Sequence, residues 1–246
     1  MSLRLGKKPV KIDVRTKRMA RYLTGALPTF PAEVVPPSIA STMLLNDQYG
    51  NCTIASALHL VQSWTKANGS EVVPTDAQAL EGYEGACGFN PADPNTDQGG
   101  VELDVLNYWR AVGIGNHKIA AFVALDPLNW DHVRAACFLF GGCYIGLALP
   151  KSCEGRGAWR LDLSGQSGNP SPGSYGGHAV PIVGYNAEGP IVITWGAPLQ
   201  MSWDFYDCYT EETYAILSSD WAQEQKPAPS GFNLSALRSD LGLVTG

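Results

Sequence analysis

The stretch Gly177-His178-Ala179-Val180-Pro181-Ile182-Val183-Gly184-Tyr185 opens on one polar side chain and then runs apolar to its tyrosine. Its length, its β-branched residues and the turn signal Asn186–Gly189 that follows predict a fully buried strand over 178–185. A histidine at the head of such a strand needs a reason. It is either a packed core residue or a group at the rim of a cleft, with Gly176-Gly177 leaving access.

Working outward, Ile191–Trp195 predicts a second strand, Ser202 a cap for a short helix, and Tyr214–Leu217 a further strand. Residues 151–176 are Gly/Ser/Pro-rich and read as loop. Before Pro150 the periods are helical. Ile54, Leu58, Val61 and Thr65 give 52–67 one largely apolar face, and Asn68-Gly69 ends it. Thr75-Asp76 caps a second helix to about Ala86. Residues 89–100 read as loop, Glu102–Val112 as a third helix, Ile119–Val123 as a strand, Asn129–Phe140 as a helix and Cys143–Leu149 as a buried strand. Residues 1–45 read as an arm with a short helix at Thr16–Thr24 and an extended Pro-rich stretch at Leu27–Pro37. The expected organisation is an arm (1–45), a domain over 46–218 and a polar tail (219–246). The domain divides into a helical half (46–150) and a strand half (151–218). This is an α+β fold with its site at the junction of the halves.

The chain has 246 residues, 45% of them hydrophobic, enough for a core and too many for a disordered chain. Gly (27) and Pro (17) recur without a period, which excludes collagen and coiled coil. Eight of the 17 basic residues lie within 1–22 beside a single acid, Asp13, so the net −6 divides into a +7 arm and a −13 remainder. Such an arm could dock on an acidic partner or on nucleic acid, or lie back on its own acidic body; it lacks the aromatic and Gly-rich pattern of base stacking. No apolar stretch follows the basic N-terminus as a secretory signal would require, and the run Ala135–Leu149, split by Gly141-Gly142, is too short to span a membrane. The expected location is cytoplasmic or virion-associated. The six cysteines show no C-x-x-C spacing and are expected as thiols, with a bridge among Cys137, Cys143 and Cys153 left open.

Cys52 follows the loop Asn46-Asp47-Gln48-Tyr49-Gly50-Asn51 at a helix start, where free N–H groups and the helix dipole stabilise a thiolate. It is either a small buried core residue or a nucleophile. A nucleophilic cysteine needs a base. His59 lies two turns along the same helix, out of reach, and is expected to pack. His117 and His132 are expected at the surface, which leaves His178. Asp93, Asn95 and Asp97 imitate the start of a calcium loop, but the glycine and the twelfth position do not fit, and no zinc or phosphate motif is present; no cofactor or metal is expected. Trp64, Trp109, Trp195, Trp203 and Trp221 are expected in the core.

Residues 177–185 resemble the H-A-V-x-x-V-G-Y strand of the papain-like cysteine peptidases. Thr194-Trp195-Gly196 resembles their N-S-W-G segment, Tyr214–Leu217 the strand after it, and Gly50-Asn51-Cys52 their catalytic cysteine, in the same order along 46–217. N-D-x-Y-G-x-C together with the histidine strand is similar to small papain-like proteins of bacteria and phages. The resemblance implies a thiol hydrolase of peptide or amide bonds. Cys52 would be its nucleophile, His178 its general base, and Asn46 or, alternatively, Gln48 the side-chain amide of its oxyanion hole. Trp195 would shield the histidine, and Gly177 would border the bound substrate. The family residue that orients the histidine falls at Thr194 by distance and at Ile193 by alignment on the W-G. Thr53 stands where the family has Trp, and only 45 residues precede the cysteine loop, without a long propeptide. The competing expectation is an inactive papain-like module of an assembly such as a phage particle, docked through residues 1–22.

Overall fold

The computed structural model describes residues 3–221, apart from 24–26 and 28. Among the described residues there are five α-helices and seven strands. The helix α1 (Cys52–Ala67) is buried on every side from Cys52 to Thr65. A helix buried all round belongs at the centre of a domain, and here its polar residues Thr53, Ser56, His59, Gln62, Ser63 and Thr65 are buried with the apolar ones. It lies between the sheet and two further helices, α2 (Asp76–Cys87) and α3 (Glu102–Ala111). A capping box of Thr75 and Gln78 starts α2, and left-handed Gly88 ends it. In the middle of α1, His59 is buried, and burial lowers its imidazole to about 4.

The strands β1 (Ile119–Ala124), β2 (Cys143–Leu149), β3 (Ala158–Trp159), β4 (Gly176–Tyr185), β5 (Pro190–Thr194), β6 (Ala197–Met201) and β7 (Thr210–Ser218) form one sheet in the order β1-β7-β2-β4-β5-β6-β3. All pairings are antiparallel except β3 with β6. The helices α4 (Trp130–Phe140) and α5 (Trp203–Tyr209) pack on β2 and β7, with α4 also against β4. Both sheet faces are thus covered. One core holds Ile145, Leu147, Val180 and Ile182 with Trp159 and Phe205; the other holds Tyr144, Val183 and Ile193 with α1 to α3. This is why β2 and β4 read as continuous apolar runs rather than alternating ones.

Two features differ from the expected halves. The strands β1 and β2 come from the helical half yet sit within the sheet, β2 near its centre, because their apolar residues find cover only there. β6, with two exposed residues and Pro198, carries no strand signal of its own and forms by closing a hairpin on β5. The arm contributes the 3-10 turn Met19–Tyr22, shorter than the expected helix, whose Met19 and Tyr22 enter the core; Val34 pairs with Tyr185. Residues 222–246, most of the polar tail, lie outside the described residues.

Candidate active site

The loop before α1 carries two consecutive non-glycine residues in the left-handed region, Leu44 (φ 54°) and Leu45 (φ 63°). Each such residue costs about 1–2 kcal/mol, so the loop has to be held from outside. Asn51 Nδ2 donates to Leu44 O at 2.8 Å, and the Leu44 side chain is fully buried. Asp97 Oδ1 accepts from Gly50 N at 2.9 Å and from the Tyr83 hydroxyl at 2.7 Å. Asp97 is therefore a strut for the cysteine loop, and Asp93 caps the 3-10 turn Pro94–Thr96; among the described residues no His, Cys, Asp or Glu group is arranged to hold a metal.

This loop delivers Cys52 as the first residue of α1, where backbone N–H groups have no intrahelical acceptor. Its Sγ accepts a hydrogen bond from Ala179 N at 3.4 Å, which joins the helix to β4 one residue beyond His178. Ser56 Oγ lies 2.7 Å from the carbonyl oxygens of both Cys52 and Ala179 and fastens the same junction. Burial pushes the Cys52 thiol up to about 12, against hydrogen bonds from the N–H groups of Ala179 and Gly6 that favour the thiolate.

His178 is buried, and its Nε2 lies 2.9 Å from Thr194 Oγ1. The ring stacks on Trp195 at 4.6 Å with an interplanar angle of 17°, and Trp159 meets it edge-on. Nδ1 has no hydrogen-bond partner among the described residues. Burial lowers the imidazole to about 3. In this state thiol and imidazole are both neutral at physiological pH. Of the two alignments for the orienting residue, Thr194 reaches the ring, while Ile193 is packed in the helical core.

Trp195 (φ 45°) and Gly196 (φ 76°) form the two-residue turn of the β5–β6 hairpin, with Thr194 and Ala197 paired across it. Tight hairpins require this left-handed pair and ordinarily use Asn-Gly. A tryptophan at the first position is strained, and its indole covers His178. Asn46 is buried, with Nδ2 donating to Tyr49 O at 3.3 Å, whereas Gln48 is exposed. Of the remaining histidines, His132 is half-buried, and His117, expected at the surface, is half-buried with Nδ1 3.0 Å from Asp220 Oδ2. All six cysteines are free thiols, Cys137, Cys143 and Cys153 included. Trp64, Trp109 and Trp203 are buried, while Trp195 and Trp221 are half-buried.

The arm fills the cleft. Arg4 O accepts from Trp195 Nε1 at 3.1 Å, Gly6 O from Gly100 N at 2.8 Å, and Gly177 O from Lys7 N at 3.0 Å; Lys8 N donates to Gly100 O at 2.8 Å. Gly6 N–H points at Cys52 Sγ. Lys7 Nζ pairs with Glu211 at 2.9 Å and Glu212 at 3.0 Å, and Lys11 with Asp104 at 2.6 Å. The basic arm thus lies back on its own acidic body, one of the alternatives its charge left open. Its place in the cleft escaped the sequence reading, although glycines mark the track. A methyl on Gly6 would fall 1.8 Å from Gly50 O, one on Gly99 1.9 Å from Gly6 O, and one on Gly177 2.2 Å from Lys7 O.

No protein-family model matches the sequence, and no curated protein matches it either. Solved structures do match the fold. Xylellain, a cysteine protease from Xylella fastidiosa, superposes with a TM-score of 0.65 at 15% identity, covering 88% of this chain and 96% of that one. A procathepsin B from Trypanosoma congolense gives 0.57 at 12% identity, covering 88% and 87%. A cysteine protease of Carica candamarcensis gives 0.52 at 14% identity, covering 76% and 99%. These superpositions lead to one conclusion: the chain has the fold of the papain-like cysteine proteases.

Proposed function

We propose that this protein is a thiol hydrolase that cuts peptide or amide bonds through Cys52 and His178, held latent by residues 4–8. The observation that carries this reading is the junction itself. A cysteine at a helix N-terminus meets, through the Ala179 amide, the strand that bears a histidine whose Nε2 is engaged by Thr194 and whose face is covered by Trp195.

With the arm displaced, the Cys52 thiol passes its proton to His178 Nδ1, and the imidazolium keeps its Nε2–H on Thr194. The thiolate adds to the substrate carbonyl carbon, and the carbonyl oxygen takes the negative charge. The Cys52 N–H and the Asn46 side-chain amide stabilise that oxyanion; the buried Asn46 suits this role better than the exposed Gln48. The imidazolium then protonates the leaving amine as the C–N bond breaks. Water, deprotonated by His178, releases the acyl group and restores the thiol.

The assembly reading would free the arm to dock elsewhere. Lys7 and Lys11 are instead engaged by acids of their own chain, which favours the hydrolase. The test is hydrolysis of a mixed peptide library after the arm is dislodged, with Cys52→Ala and His178→Ala as paired variants. Release of new amino termini that both substitutions abolish is expected. No release by a folded, arm-dislodged protein refutes the reading.

A further inference from the structure

The side chain of Lys7 is wholly buried in a cage of three carboxylates drawn from two separate elements. Glu211 and Glu212 come from β7, and Glu102 from the first turn of α3. Nζ lies 2.9 Å from Glu211 Oε2, 3.0 Å from Glu212 Oε1 and 3.2 Å from Lys8 O. Glu212 Oε2 accepts from the Tyr214 hydroxyl at 2.9 Å. Glu102 is fully buried, and neither of its carboxylate oxygens has a hydrogen-bond partner among the described residues. Gly146 of β2 forms the floor: a methyl there would fall 2.0 Å from Lys7 Cε and 2.8 Å from Glu102 Oε1.

Two buried acids, Glu102 and Glu212, and the exposed Glu211 around one buried ammonium are a costly way to tether an arm, since desolvation offsets most of what a buried ion pair returns. Burial and the neighbouring Glu212 hold the Glu102 carboxyl well above the usual carboxylate range, against the opposing pull of Lys7. The arrangement makes chemical sense as a selector. The cage opens one residue along the chain from Gly6, whose N–H faces the nucleophile. Its floor, Gly146, is paired with Ala179, the donor to Cys52 Sγ, and on its other side with Glu212. Around it the arm is held by main-chain bonds to Gly100 and Gly177, which any extended peptide could make. Selectivity on this track comes from the cage. A neutral side chain would leave the buried Glu212 without its ammonium partner, and an acidic one would be repelled.

Building on the hydrolase reading, we infer that this cage is a selectivity pocket for a lysine side chain of the peptide substrate, with Lys7 as its internal occupant. Two variants open the cleft independently. Gly6→Ala dislodges the arm by backbone clash, and Lys7→Met removes its ammonium. Each is treated with short peptidyl chloromethyl ketones bearing lysine, norleucine or glutamate next to the residue that carries the reactive carbon. The Cys52 thiolate displaces chloride to form a thioether, and the rate of mass gain on Cys52 is followed. Lysine probes should label at least about 10-fold faster than norleucine probes and glutamate probes slowest. Glu211→Gln and Glu212→Gln should each shrink the lysine preference. Equal labelling by lysine and norleucine probes overturns the pocket while leaving the hydrolase standing. Labelling no faster than that by chloroacetamide in both variants overturns both.

Discussion

Replacing Gly6 by alanine should switch on the Cys52 thiol. The new methyl would fall 1.8 Å from Gly50 O and 2.3 Å from Gly50 C, both backbone atoms of the strained cysteine loop, so the arm must lift rather than adjust. Lifting breaks the bonds between Gly6 O and Gly100 N, Lys7 N and Gly177 O, and Lys8 N and Gly100 O. At about 1 kcal/mol net each, these contribute about 3 kcal/mol to holding the arm down. Under the arm, burial holds the thiol at about 12. An ordinary thiol near 8.5 is about 10% thiolate at pH 7.5, whereas one at 12 is about 0.003%. The thiolate is the nucleophile, so the parent protein should alkylate at Cys52 about 10³-fold more slowly than an exposed thiol, and the variant should recover most of that factor. The assay is iodoacetamide labelling followed by peptide mass spectrometry, with the exposed Cys208 as reference within the same molecule. If folded Gly6→Ala protein labels at Cys52 within about twofold of the parent rate, the arm is not what keeps the thiol protonated.

Other consequences are equally direct. Thr194→Val keeps the shape but removes the hydroxyl from His178 Nε2; a buried hydrogen bond of about 1–3 kcal/mol predicts a 5- to 150-fold fall in kcat of the opened enzyme, with Thr194→Ser retaining most of the activity. Asn46→Ala should lower kcat by about 10²-fold and Gln48→Ala by less than about threefold; equal losses would contradict the oxyanion assignment. Acid should unfold the protein early. His59 falls from an ordinary 6.5 to about 4 in the folded state, so its contribution is complete above pH 6.5 and is lost as pH falls towards 4. That loss is about 3 kcal/mol by linkage, read as a drop in the urea midpoint; His59→Leu should remove this part of the drop and leave the part due to the buried His178. Trp64, stacked on Trp109 at 5.8 Å and donating to Gly141 O, should cost about 3–5 kcal/mol when cut to alanine, measured by thermal unfolding.

Local signals alone determined much of this protein. The period in 52–67, the cap at Thr75, the apolar runs at 143–149 and 178–185 and the breakers between them specify elements whose bounds agree with the structure to within a few residues, because each is set by neighbours along the chain. The cysteine at a helix start and the histidine leading a buried strand were legible for the same reason. Tertiary structure decided what depends on partners distant in sequence. β6 exists because β5 lies beside it, and β1 and β2 join the sheet because only there are their faces covered. Thr194 rather than Ile193 meets the histidine because the hairpin turn at Trp195-Gly196 sets which face each residue takes. The seat of the arm could not be read from its charge, since a +7 segment is compatible with any acidic surface. It is chosen by glycines at four separate places in the chain and by three glutamates that only the fold brings around one lysine.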